Sequence, residues 1–248
     1  MSQGEDPLER LLTPQDTRAG SRQEFAQQLE GLEQRLIALA EQIAEGVEPL
    51  TTAFLDADED AALAWRDTDE GIARGCEELE EACYLLLARQ SPVATDLRRV
   101  VATLRCTAEM RRSSNLLRHV AGSLTWVHPP SLSGSVREVV GQLGATAAHI
   151  YRGAVRAWRE QDSLAAVELQ EADDQADLLQ KVLLTEIYTG DQSVEEAVSL
   201  ALIARYYERV ADHGVELARA VSYVVTGERL SGTPPAQDAP PDPGTETD

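Results

Sequence analysis

"ARYYERVADHGVELA", residues 204–218, is the stretch from which the fold can be read. Around it the apolar positions Ile203, Tyr207, Val210, Gly214, Leu217, Val221 and Val224 alternate steps of four and three. That is the period of an α-helix with one buried stripe. The acids Glu208, Asp212 and Glu216 recur every fourth residue, so a helix stacks them in a row, where like charges repel by roughly 0.2–0.5 kcal/mol per pair. A second stretch, "AEMRRSSNLLRHVA" at 108–121, has the same framework with those acids removed. One helix present twice, once with the cluster and once without it, points to a duplicated helical chain.

Working outward, "AFLDADEDAALAW" at 53–65 lies over "AWREQDSLAAVEL" at 157–169 with an offset of 104, which also places Asp69 on Asp173. Further along, an offset of 97 places Arg112 on Arg209 and Ala121 on Ala218. Helical patterning fills both halves. Ser21 and Glu24 form a capping-box pattern ahead of Phe25, Leu29, Leu32, Leu36, Leu39, Ile43, Val47, Leu50 and Phe54, with Pro49 expected to kink that first helix near its end. "DADED" restarts the chain into a second helix seamed by Ile72, Cys76, Leu79, Cys83 and Leu86. "QSP" ends it, with Ser91 expected as the cap of a third helix and Pro92 in its first turn. After "WVHPPSLSG", a fourth helix carries Val136, Val140, Leu143, Ala147, Ile150, Ala154 and Trp158; a fifth runs from near Asp162 to Tyr188, and a sixth to "TGERL". The expected fold is all-α: two tandem, pseudo-repeated three-helix bundles, six long helices in all. The expected boundaries are a flexible segment 1–20, a first repeat 21–127, a second repeat 132–227 and a disordered Pro-rich acidic tail 228–248.

Composition narrows the partners. The chain has 248 residues, with 43 acids against 22 bases and a net charge of −21, so wrapping nucleic acid or docking on an anionic membrane by charge is disfavoured. No run of 18 apolar residues occurs and the start "MSQGEDPLER" has no apolar core, so neither membrane insertion nor a secretory signal is expected. Cys76, Cys83 and Cys106 fall at helical apolar spacings and read as buried small hydrophobes. A cytoplasmic location is the expectation.

Glu208 and Asp212 lie about 160° from Val210 on a helix of 3.6 residues per turn, so they are expected to point away from the core. Two roles fit that placement. One is a solvated face, with Arg205 and Arg209 pairing three residues away. The other is an oxygen-rich site for a hard cation, with further acids from Asp173, Asp174 and Asp177 on the preceding helix. His213, beside Asp212, reads as a helix-surface residue or an extra ligand. Among the four histidines none completes a Glu-x-x-His pair, and Cys/His zinc spacing, a phosphate-cradling Gly-rich loop and a nucleophile elbow are missing from the sequence. Catalysis has little support. Trp65, Trp126 and Trp158 are expected to pack.

Three stretches carry a resemblance. "YYERVADHGVELARAVSYVVTGE" at 206–228, "LARQSPVATDLRRVVATLR" at 87–105 and, more weakly, "EADDQADLL" at 171–179 resemble the PhoU family of bacterial phosphate-uptake regulators, over roughly residues 22–228. The resemblance implies two similar three-helix bundles and an acid-x-x-x-Asp signature that holds metal on the outer face in some members. It thereby implies Glu208 and Asp212 as ligands of a divalent or ferric ion (Mg, Mn or Fe), with Asp173, Asp174, Asp177 and Glu216 as extra candidates. At the matching positions of the first repeat stand Arg111 and Asn115, with Ala73 in the place of Asp177. The metal is therefore expected at the second repeat only. Asp96, Arg98 and Arg99 open the third helix, where first-turn charge balance is the ordinary role. The resemblance there makes them a candidate partner-docking patch as well.

By the same resemblance, the chain would be a homodimeric adaptor restraining a phosphate-sensing histidine kinase and the ATPase subunit of a high-affinity phosphate transporter when phosphate is plentiful. The alternatives are a metal-binding or metal-sensing helical protein, a specialised paralogue serving another transporter, and, least supported, a carboxylate-bridged metal enzyme.

Overall fold

The computed structural model describes residues 14–228. Six helices follow one another: α1 (Pro14–Leu55), α2 (Glu59–Gln90), α3 (Ala94–Gly122), α4 (Gly134–Glu160), α5 (Ala165–Thr189) and α6 (Val194–Thr226). Two short 3₁₀ turns, Ser123–Thr125 and Pro129–Ser131, link the halves. Among the described residues there is no strand.

Each boundary has a local cause. Asp58 caps α2 by accepting from the Ala61 amide at 3.0 Å, Ser133 caps α4 through the Val136 amide, and Ser193 and Glu196 form a complete capping box on α6. Gly227, at φ 80°, closes α6 in the left-handed region that suits glycine.

Two boundary expectations are corrected. The helix starts at Pro14, so residues 14–20 are helical and Ser21 and Glu24 lie inside α1, not at its cap; proline is tolerated in a first turn. Ser91 is the left-handed C-cap of α2, and α3 begins behind Val93 without a side-chain cap. Helix α1 runs through Pro49 to Leu55, in keeping with the apolar positions read as far as Phe54. Residues 1–13 and the tail from 229 lie outside the described residues.

Within each repeat the three helices pack on one another, and the repeats then share their core. α3 lies along α6 and α1 along α4, with α4 also against α6 and α1 against α3; α2 and α5 flank this central four on opposite sides. The seams expected for α2 and α4 are buried throughout, and all three cysteines are buried and free. Trp65 and Trp158 are buried, their indole N–H groups donating to Ser114 O (3.1 Å) and Leu217 O (3.0 Å). Trp126 is instead 63% exposed; it follows a 3₁₀ turn after the last helical residue of α3, beyond the reach of the core.

Polar bonds pin the junction between repeats. Thr51 of α1 and Tyr207 of α6 share a buried hydrogen bond of 2.7 Å, and the Tyr151 hydroxyl of α4 donates to Ser113 of α3. This places the central helices in a fixed register, with the seams between them and the flanking α2 and α5 available to carry sites.

Candidate functional site

Helix α6 packs against α3, α4 and α5, so its sides are covered as well as its apolar stripe. Glu208, expected to point outward, is only 6% exposed. The reason is α5, which lies against the flank that the helical wheel of α6 alone would assign to solvent. Asp212, one turn on, is half-buried.

These two acids meet Asp173 and Asp177 of α5. Burial, followed by the charge of Asp212 and then Asp177, pushes the Glu208 carboxyl up from its ordinary 4.5 to about 7, against the pull of Arg205 and Arg209. Burial and the charges of Asp212 and Asp177 likewise lift Asp173 from 3.8 to about 6, although Gln170 donates to it at 3.0 Å. Four carboxylates therefore share one seam between α5 and α6, and two of them resist ionisation. Asp174 is exposed and does not join them. Glu216 pairs with Arg219 at 2.5 Å and acts on Cys106 of α3, so it belongs to another side of α6.

The positive charge at this seam comes from α6 itself. Arg205 Nη1 lies 2.5 Å from Glu208 Oε2, and Arg209 Nη1 lies 2.9 Å from Asp212 Oδ2. Glu208 Oε2 is nonetheless buried without a hydrogen bond, because the nearby guanidinium is close but not aligned with it. A hard cation suits this donor set in chemistry, and the unsatisfied oxygen is one it could use. Among the described residues no three His, Cys, Asp or Glu side chains converge on one point. As arranged, Glu208 and Asp212 are paired with Arg205 and Arg209.

The first repeat solves the same problem differently. Arg111, which stands where Glu208 does, reaches across to Glu77 (3.9 Å) and Glu80 (3.8 Å) of α2. Asp69, the match of Asp173, is held by Arg118 at 2.9 Å and by the Ser114 hydroxyl at 2.8 Å. Asn115 accepts from Arg118 at 2.5 Å. The α2–α3 seam thus carries its own cation across the gap, whereas the α5–α6 seam has carboxylates on both sides.

Two expectations are corrected by contacts that no single-helix reading supplies. His213 is not a surface residue: it is 4% exposed, with Nδ1 2.6 Å from Glu109 Oε2 of α3. The bond to His213, then its charge, holds the Glu109 carboxyl below its usual range. Arg98 and Arg99, read as first-turn charge balance or a candidate docking patch, are engaged within the chain. Arg99 makes two bonds of 2.5 and 2.6 Å to Glu33 of α1, and Arg98 donates to Val224 O near the end of α6 at 3.2 Å. Asp96 remains the first-turn acid of α3.

Six helices in two like repeats, each with a charged seam between its second and third helices, define an all-α tandem-repeat protein. The family profile described as "PhoU domain" matches residues 36–124 and 140–221, starting at 36 against 140 and ending at 124 against 221, the offsets of 104 and 97 read from the repeats. The chain belongs to the PhoU family. The phosphate-specific transport system accessory protein PhoU homolog 1 of Mycobacterium leprae is 33% identical over 206 residues, covering 82% of this chain and 93% of that relative. Homolog 2 of Mycobacterium tuberculosis is also 33% identical over 206 residues, covering 82% of this chain and 97% of that one. In fold, the crystal structure of PhoU from Pseudomonas aeruginosa superposes with a TM-score of 0.77 at 24% identity, covering 82% of this chain and all of the other.

Proposed function

We propose that this chain is an accessory protein of a phosphate transport system, acting by contact and not by catalysis. The observation that carries this is family membership across both repeats, joined to relatives of nearly full-length match whose names state that role. In this reading it works in the cytoplasm as a homodimer, and restrains both a sensor histidine kinase and the transporter ATPase when phosphate is plentiful. Its long helical faces offer the surface that helix-to-helix recognition uses. No described helix is long and apolar enough to cross a membrane.

The test is alkaline phosphatase output in phosphate-rich medium, in a strain lacking the gene. Loss of the gene raises output several-fold, and the intact chain restores silence. A strain whose output is unchanged by the loss would remove the phosphate assignment. Complementation with Glu208→Arg plus Asp212→Asn tells whether the α5–α6 seam takes part: continued high output implicates it, and restored silence assigns regulation to the rest of the body.

The unsatisfied Glu208 oxygen supports a second reading, in which Mg, Mn or Fe at the second repeat tunes the same adaptor. Manganese added near pH 8 then raises the melting temperature of the intact chain by several degrees and leaves the Glu208→Arg, Asp212→Asn chain unmoved. Equal shifts in both chains would assign the acids to their arginines alone.

A further inference from the structure

The α1–α2 side of the molecule carries an open cavity of 610 Å³ whose lining includes Gly31, Leu32, Arg35, Leu85, Leu86 and Arg89. Its floor is apolar: Leu32 and Leu86 are buried at its base, while Leu85 stays 45% exposed. Its rim is cationic, in a chain of net charge −21. Neither arginine has an ion-pair or hydrogen-bond partner among the described residues. Local sequence is part of the reason. Some arginines pair with an acid three or four residues along their own helix and others with an acid elsewhere in the fold. The neighbours of Arg35 at helical spacing, however, are Gly31, Leu32, Ala38 and Leu39, and Leu85 and Leu86 precede Arg89 at that spacing.

Gly31 adds a separate observation. A Cβ there would meet nothing within 4 Å, so the chain's own packing has no need of a glycine, which costs a helix interior about 1 kcal/mol relative to alanine. Without a side chain it leaves this wall of the cavity flat. The α1 wall spans residues 28–38, about 15 Å or three helical turns at the usual rise. Gly31, Leu32 and Arg35 precede the family match, which begins at 36. In the second repeat the position of Arg35 holds Val139, so the arginine on the α1 wall is particular to the first.

We propose that this groove docks an amphipathic helix of a partner protein, with its apolar stripe over Leu32, Leu85 and Leu86 and its flanking carboxylates on Arg35 and Arg89. The packing is ridges into a groove between two helices, and the arginines set its polarity and register. It stands independently of the phosphate reading.

The probe is a fluorescein-labelled peptide of about 18 residues, with leucines at helical spacing flanked by glutamates, beside a twin in which lysine replaces each glutamate. Fluorescence anisotropy at low salt, with the full chain, reads the binding. The acidic peptide binds and its twin does not. Arg35→Glu plus Arg89→Glu weakens the acidic peptide by about tenfold or more and takes up the lysine twin instead. Gly31→Leu, which meets open space in the chain, keeps or raises the melting temperature and loses the peptide. Equal binding of both peptides, no binding of the acidic one, or binding indifferent to all three substitutions would each overturn the proposal. So would sedimentation showing a dimer of the intact chain that Gly31→Leu splits, since the occupant would then be a second copy.

Discussion

Glu208→Gln raises the melting temperature near pH 8 and has little effect near pH 5. In the folded chain the Glu208 carboxyl is pushed up to about 7 by burial and by Asp212 and Asp177, whereas its ordinary value is 4.5. A carboxylate raised on folding stabilises the native state in its protonated form. That stability is full below the unfolded value and is lost as pH rises through about 7. Asp173, raised to about 6, adds to the loss over a slightly lower range. Above neutrality the seam therefore holds several like charges that Arg205 and Arg209 only partly offset. Glutamine keeps the size of the side chain and removes the charge. A shift of this size is on the order of 3 kcal/mol at most, or roughly 6–12 °C for a chain of this length. The check is thermal melting of both proteins from about pH 5 to 8, with the difference between them isolating Glu208 from other titrating groups. Two curves that run parallel throughout would show that the arginines compensate the carboxylate fully.

Gly144→Ala destabilises the protein by about 2–4 kcal/mol, although alanine is the better helix former. A Cβ at Gly144 of α4 would sit 2.3 Å from the Thr51 hydroxyl of α1 and 2.7 Å from its methyl. Thr51 cannot easily yield, because its hydroxyl donates to Val47 O and is also bonded to Tyr207 OH, both at 2.7 Å. Moving it breaks a buried bond between α1 and α6 while overpacking the α1–α4 contact, and each effect costs about 1–3 kcal/mol. Gly31→Ala is the control: it fills open space and stabilises by up to about 1 kcal/mol. Denaturant midpoints of the two variants should move in opposite directions. If Gly144→Ala shifts the same way as Gly31→Ala, the close approach of α1 and α4 does not hold the repeats together.

The helices, the seams of α2 and α4 and the duplication were legible in the chain because they depend on spacing along one strand of sequence. A period of 3.6 residues names the stripe that must be buried, and "DADED" marked the restart that Asp58 caps through the Ala61 amide. The loss of acids at Arg111 and Asn115 was equally plain, since comparing two stretches needs no coordinates. What Arg111 does in their place was not: its partners Glu77 and Glu80 lie on another helix.

The site itself depended on neighbours. A helical wheel assigns one face to the core and leaves the rest to water, which holds for an outer helix such as α2. It fails for α6, which α3, α4 and α5 cover on three sides. Hence Glu208 is buried against α5, His213 meets Glu109 of α3, and Arg98 and Arg99 turn inward to Val224 and Glu33. Periodicity along the chain determines which residues share a face. Only the packing of helices distant in sequence decides whether a second face is also covered, and with it which charges lose water and must find a partner.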